Sequence, residues 1–238
     1  MAIALPVEKT KPKARIEDYT GFIYGPWKIG KSTFCSRMDN PLFLATEAGL
    51  NTLEVYQIPI STWPDFLEAC RLIAEGKHEY KTIVIDTVDN LYNFCSDYIC
   101  KKAGIQHESD LEWGKGWDMV NDEFLRALTK LSLLPYGLWM TSHSEEKEIK
   151  SRTQPAITKV VPTLPKGARK IVLGMSDFIL YAESVQTKEG MVRVLHTKPT
   201  ENYEAGDRTG RLPATLPFKY ASFLKAFEGG VVDEQPEE

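Results

Sequence analysis

Eight consecutive residues, Gly25-Pro26-Trp27-Lys28-Ile29-Gly30-Lys31-Ser32, satisfy the pattern G-x-x-x-x-G-K-[ST] and leave this chain few folds to choose from. The pattern functions only between a strand and a helix. Phe22, Ile23 and Tyr24 form a short β-favouring run before it, and Ser32 to Met38 contain no helix breaker after it. Glycines allow backbone N–H groups to close around phosphate oxygens, and the helix N-terminus adds the positive end of its dipole. Lys31 is expected to reach the β- and γ-phosphates and Ser32 to ligate Mg²⁺. The candidate nucleotide contacts are therefore Gly25, Pro26, Trp27, Lys28, Ile29, Gly30, Lys31, Ser32 and Thr33, with ATP and Mg²⁺ as the cofactors they imply.

Three further strands end in groups that suit the same site. Thr82-Ile83-Val84-Ile85-Asp86 is an apolar run ending in a carboxylate, the arrangement needed to hold the Mg²⁺ hydration shell. Leu42 to Ala45 lead into Glu47, a candidate general base for the attacking water. Leu138 to Thr141 lead into His143, placed to sense a γ-phosphate or to orient water. In a parallel sheet all three would meet at the carboxyl edge, where open α/β sheets bind ligands.

The rest of the chain supports one such sheet. Its 238 residues, 42% hydrophobic and 26% charged, can bury one sizeable core. Strands are expected at Gly21 to Tyr24, Pro41 to Ala45, Thr82 to Ile85, Tyr136 to Thr141, Asp177 to Ala182 and Val192 to His196, the last two as a C-terminal β-hairpin. Helices are expected over Lys31 to Met38, Trp63 to Glu75, Val88 to Ala103, Trp113 to Leu133, Lys166 to Leu173 and Phe218 to Phe227. Residues 1–18, with four basic residues and two prolines, read as a flexible basic arm, 19–227 as the folded domain, and 228–238 as an acidic disordered tail. No apolar run approaches the roughly 20 residues of a membrane span and no secretory h-region is visible, so a cytoplasmic protein is expected. Cys35, Cys70, Cys95 and Cys100 read as reduced thiols, and the last two fall in a helical apolar pattern rather than a zinc-binding one.

The order of Gly25 to Ser32, Phe43 to Glu47, Ile83 to Asp86 and Thr141 to His143 resembles the RecA/RadA recombinase ATPase core over about Thr20 to Ala182. More narrowly, Trp113-Gly114-Lys115-Gly116-Trp117, Ser142-His143-Ser144 and Ala205 to Pro213 look like bacteriophage nucleotide-binding proteins of the RecA-like single-strand annealing group. The resemblance implies an α/β RecA-like P-loop NTPase core with a mostly parallel central sheet flanked by helices. It implies an ATP-dependent DNA recombination protein, a weak Mg²⁺-dependent and DNA-stimulated ATPase that binds single-stranded DNA and promotes annealing. Lys31 and Ser32 would serve phosphate and Mg²⁺, Asp86 would hold Mg²⁺, Glu47 would activate water, and His143 would stand at the switch position that RecA fills with glutamine.

Ser144 to Lys170 carry seven basic and three acidic residues in a chain of net charge −4. Pro155, Pro162 and Pro165 forbid a long helix there, so a basic loop leaving the catalytic edge after His143 is expected. Lys147, Lys150, Arg152 and Lys159 are its candidate DNA contacts. Lys198, Arg208 and Arg211 follow the last strand and are candidates to complete a neighbour's nucleotide site in a homo-oligomer, with Arg208 as a catalytic finger. A single-stranded DNA-binding protein is a further expected partner. The competing readings are a P-loop small-molecule kinase and a nucleotide-controlled replication or packaging accessory that acts through protein partners.

Overall fold

The computed structural model describes residues 5–149, 156–188 and 190–230. In chain order these form β1 (Thr20–Gly25), α1 (Lys31–Cys35), β2 (Pro41–Ala45), β3 (Tyr56–Pro59), α2 (Trp63–Ala74), β4 (Thr82–Asp86), α3 (Val88–Ala103), α4 (Lys115–Ser132), β5 (Gly137–Ile149), β6 (Ile157–Pro162), α5 (Lys166–Met175), β7 (Phe178–Thr187), β8 (Gly190–His196), β9 (Gly206–Asp207), β10 (Thr215–Pro217) and α6 (Tyr220–Phe227). The main sheet runs β10-β8-β7-β1-β5-β4-β2-β3, with β7 through β3 parallel and the C-terminal strands β8 and β10 antiparallel. This is an α/β fold with a mostly parallel central sheet flanked by helices, the RecA-like P-loop architecture. No helix among the described residues is long and apolar enough to cross a membrane.

The central strands are apolar on both sides because both sides are covered. Phe22, Tyr24, Leu42, Leu44, Ile83, Ile85, Leu138 and Met140 point to one face, where α2, α3, α4 and α5 pack. Their neighbours Ile23, Phe43, Val84 and Trp139 point to the other face, beneath α1 and α6. The five-residue α1 gains its orientation from Phe34, whose ring lies against Trp139, Phe218, Tyr220 and Phe223. Burying such a side chain stabilises by about 1.5–3 kcal/mol, enough to hold a helix too short to stand alone. Helix α2 starts at Trp63 because the Thr62 hydroxyl accepts from the Asp65 N–H at 3.3 Å, and α3 stops where Gly104 turns left-handed at φ 69°.

Several expectations are corrected. Where it is described, the segment after His143 is not a loop: β5 continues to Ile149 and pairs antiparallel with β6, Ser144 opposite Pro162 and Lys147 opposite Lys159. Pro162 and Pro165 delimit elements instead of abolishing them, since Pro162 ends β6 and Pro165 immediately precedes α5, while Pro155 lies outside the described residues. Strand β3 has no apolar run because it lies at the sheet edge with three of its four residues exposed. The packed chain begins inside the expected N-terminal arm, at Ile16, which is buried. The Tyr19 hydroxyl donates to the Lys13 carbonyl at 2.7 Å, tying down that end. Residues 231–238 of the expected acidic tail lie outside the described residues.

Candidate nucleotide site

Strand β1 delivers the chain to the loop at Gly25, where no side chain fits. A Cβ there would fall 2.3 Å from the Ala182 carbonyl oxygen of β7. Gly30 closes the loop at φ +112°, a left-handed conformation glycine adopts at little cost, and α1 starts at the next residue. Lys31 is 5% exposed, and its ammonium donates to the carbonyls of Gly25 and Pro26 at 3.0 and 2.9 Å. Burial pulls its pKa below the usual lysine range, opposed by the nearby carboxylates of Asp86, Glu47 and Asp89. The remaining loop residues Pro26, Trp27 and Lys28 are exposed, as is Thr33 in the first turn of α1.

The sheet order sets what faces this loop. Strand β5 lies directly beside β1, with His143 opposite Gly25, and β4 and β2 follow. The Ser32 hydroxyl donates to Asp86 Oδ2 at 2.6 Å, and the Thr141 hydroxyl donates to Oδ1. Ser32 and Asp86 thus present hard oxygen donors side by side, the donor chemistry that suits Mg²⁺. His143 Nδ1 lies 3.4 Å from the Lys31 ammonium, and Nε2 lies 3.7 Å from Glu47 Oε2. The His143 contact, ahead of other influences, holds the Glu47 carboxyl below the usual range, so it is ionised at neutral pH. Asn90 Nδ2 reaches the same Glu47 oxygen at 3.4 Å. The structure therefore brings Lys31, Ser32, Glu47, Asp86 and His143 together at one edge. Such a cluster can bind a triphosphate, hold its metal, and orient a water against the terminal phosphate.

The DNA and interface candidates are placed differently. On the β5–β6 hairpin Lys147 pairs with Glu145 at 2.6 Å, and Lys159 pairs with Glu204 at 2.8 Å. Lys150 and Arg152 lie outside the described residues. Arg208 bonds Asp177 at 2.8 Å, Lys198 lies 3.5 Å from Asp207, and Arg211 sits over the Phe227 ring. Asp177 accepts from the Thr20 N–H at 3.0 Å, so Arg208 lies at the start of β1, about 17 Å from the loop of its own chain.

Trp27, one of the expected nucleotide contacts, stacks on His143 at 5.0 Å. Sequence reasoning missed three participants. Thr141 bonds Asp86, and Arg193 reaches the Ile29 carbonyl from β8. The third, Asp89, accepts from the hydroxyls of Ser142 and Thr163, the residues before His143 and just after β6. It fastens both roots of the hairpin to α3. Its Oδ2 is shut from solvent with no hydrogen-bond partner, and burial raises its pKa. The only available signal was an acidic residue in the first turn of a helix. Because the folded pKa is raised, this carboxyl favours folding most at low pH, and that contribution is lost as pH rises from the ordinary aspartate value through the folded one. Asp89→Asn is therefore expected to raise the melting temperature at pH 8, with the gain disappearing near pH 3.5. Melting curves in which Asn lowers stability at pH 8, or shifts it equally at both pH values, would contradict this assignment.

Comparison with known proteins places the site in context. The AAA domain family profile matches residues 17–209. The SPbeta prophage-derived uncharacterized protein YorG of Bacillus subtilis (strain 168) is 28% identical over 171 residues, covering 68% of this chain and 50% of YorG. The chain thus spans about half the length of that relative. The crystal structure of the flagellar accessory protein FlaH from Methanocaldococcus jannaschii aligns with a TM-score of 0.46 and 12% identity, over 87% of this chain and 88% of FlaH.

Proposed function

The chain belongs to the AAA domain family, and from that premise we propose that it is a Mg²⁺-dependent ATPase of phage recombination whose nucleotide state controls single-stranded DNA binding by the β5–β6 hairpin. The observation carrying this reading is the continuity of β5. One strand holds His143 between Lys31 and Glu47 and then, without a break, becomes the first arm of the hairpin.

The chemistry follows from the chain's own groups. The loop N–H groups and Lys31 take the phosphates, while Ser32 and Asp86 would hold Mg²⁺, which would supply positive charge against the negative charge on the phosphate oxygens. Glu47 orients a water and accepts its proton, and His143 donates to the terminal phosphate. Loss of that phosphate removes the His143 contact, and Thr163, whose N–H donates to the His143 carbonyl at 3.0 Å, carries the change into β6.

The test is ATP hydrolysis with and without single-stranded DNA, together with DNA titrations over a range of salt. Replacing Lys147, Lys150, Arg152 and Lys159 with alanine is expected to weaken DNA binding and flatten its salt dependence by about 0.7 per lost phosphate contact, with DNA-independent hydrolysis retained. Equal affinity and equal salt slope in the quadruple variant would remove the hairpin from DNA binding.

A second reading is favoured by charge. Lys147 and Lys159 already have carboxylate partners, so the hairpin could serve a protein partner as a nucleotide-controlled accessory. Wild-type protein that hydrolyses ATP, ignores single-stranded DNA and changes its hairpin with nucleotide would select this alternative.

A further inference from the structure

Arg193 belongs to the C-terminal hairpin, far in sequence from Lys31, Ser32, Glu47, Asp86 and His143, yet its Nη1 donates to the Ile29 carbonyl inside the phosphate loop at 2.9 Å. Its guanidinium lies so close to Gly30 that a Cβ there would be 2.9 Å from it. The strand behind it is firmly held. The Phe218 N–H donates to the Arg193 carbonyl at 3.0 Å, and Phe218 is buried, stacking on Phe34 of α1 at 5.4 Å. Arg193 itself is exposed, and among the described residues no carboxylate pairs with it. A rigidly based, uncompensated cation therefore borders the loop.

The sheet order says which end of a ligand it would meet. Asp86, Glu47 and His143 come from β4, β2 and β5, all on one side of β1, whereas Arg193 comes from β8, two strands away on the other side. A triphosphate lying along the loop with its terminal phosphate toward Glu47 must carry its nucleoside toward β7 and β8. We infer that Arg193 is a nucleotide-binding residue: it bridges the Ile29 carbonyl and the α-phosphate and ribose end of the nucleotide, so that the C-terminal hairpin holds the part common to ATP and ADP. The guanidinium suits this because one planar group can donate to a loop carbonyl and a phosphate oxygen together. The inference rests on the ATP-site reading above.

Calorimetric titration of the full chain with Mg·ATP and Mg·ADP tests it, using Arg193→Ala, Arg193→Gln and Arg193→Lys. Glutamine keeps a donor for the Ile29 carbonyl but has no charge, and lysine keeps the charge. The expected result is a loss of about tenfold in affinity for both nucleotides alike in the alanine and glutamine variants, with most affinity retained by lysine, and unchanged melting without nucleotide. Wild-type affinity in Arg193→Gln would reduce the residue to a prop for the loop and overturn the inference. So would a loss confined to ATP, since that would put Arg193 at the γ end. Failure of the wild-type protein to bind either nucleotide would instead overturn the ATP site itself, and this inference with it.

Discussion

Replacing Lys31 with alanine is expected to abolish measurable ATP turnover and to weaken nucleotide binding by ~10²–10³-fold, from the loss of charge-assisted contacts worth about 1.5–3 kcal/mol each. The geometry explains why the effect should be this large. The ammonium is already inside the loop, buried and held by two backbone carbonyls within 3.0 Å, so phosphate oxygens meet a positioned charge with little reorganisation to undergo. The same burial depresses its pKa, so holding the cation there costs stability, and alanine should leave the melting temperature unchanged or higher. Binding of labelled ATP, turnover and thermal melting together decide the matter. Turnover within about tenfold of wild type in a folded Lys31→Ala protein would remove the nucleotide site from the phosphate loop.

Glu47→Gln should separate binding from chemistry. Glutamine fills the same space and can keep a contact with His143 Nε2, so ATP affinity is expected to change by less than about threefold, while hydrolysis falls ~10²–10³-fold as the proton acceptor is lost. Single-turnover measurements at saturating ATP isolate that step. The depressed pKa adds a pH signature. Wild-type hydrolysis should not fail through Glu47 until pH drops below the ordinary glutamate range, because His143 keeps the carboxylate charged. A Gln variant that hydrolyses ATP at the wild-type rate would leave Glu47 with only a structural part, through its contacts to His143 and Asn90.

What the sequence made legible follows from burial. β1, β2 and β4 are unbroken apolar runs because helices cover both faces, and α2 and α3 are signalled by Thr62 and Gly104 at their ends. Strand β3 is silent because an exposed edge strand needs no apolar residues. The β5–β6 hairpin is hidden in the sequence because the charged run Glu145 to Glu148 and the nearby prolines have the composition of a loop, and only the cross-strand register separates the two. Within the site, Lys31 and Ser32 could be named because they open α1, Asp86 because it ends β4, and Glu47 and His143 because each follows an apolar run that ends at Ala45 or Met140. Arg193 and Ile29 stand 164 residues apart, and nothing short of the sheet order brings them together.

The unbroken thirteen residues of β5 also dictate what kind of motion the hairpin can make. An extended strand resists stretching, and the ladders at Gly25–His143 and Ser144–Pro162 lock its register at His143 and just beyond it. Sliding is thereby forbidden, leaving rotation about the backbone near Ser144 as the soft coordinate. From Ser144 to Ile149 the arm is about 17 Å long at roughly 3.3 Å per residue. A turn of about 10° at its base, set by the presence or absence of one phosphate, would sweep the far end through about 3 Å, the length of a hydrogen bond. On the proposed function the hairpin would work as a lever with its fulcrum at the nucleotide edge, and a partner bound to it would feel hydrolysis as a swing rather than a pull.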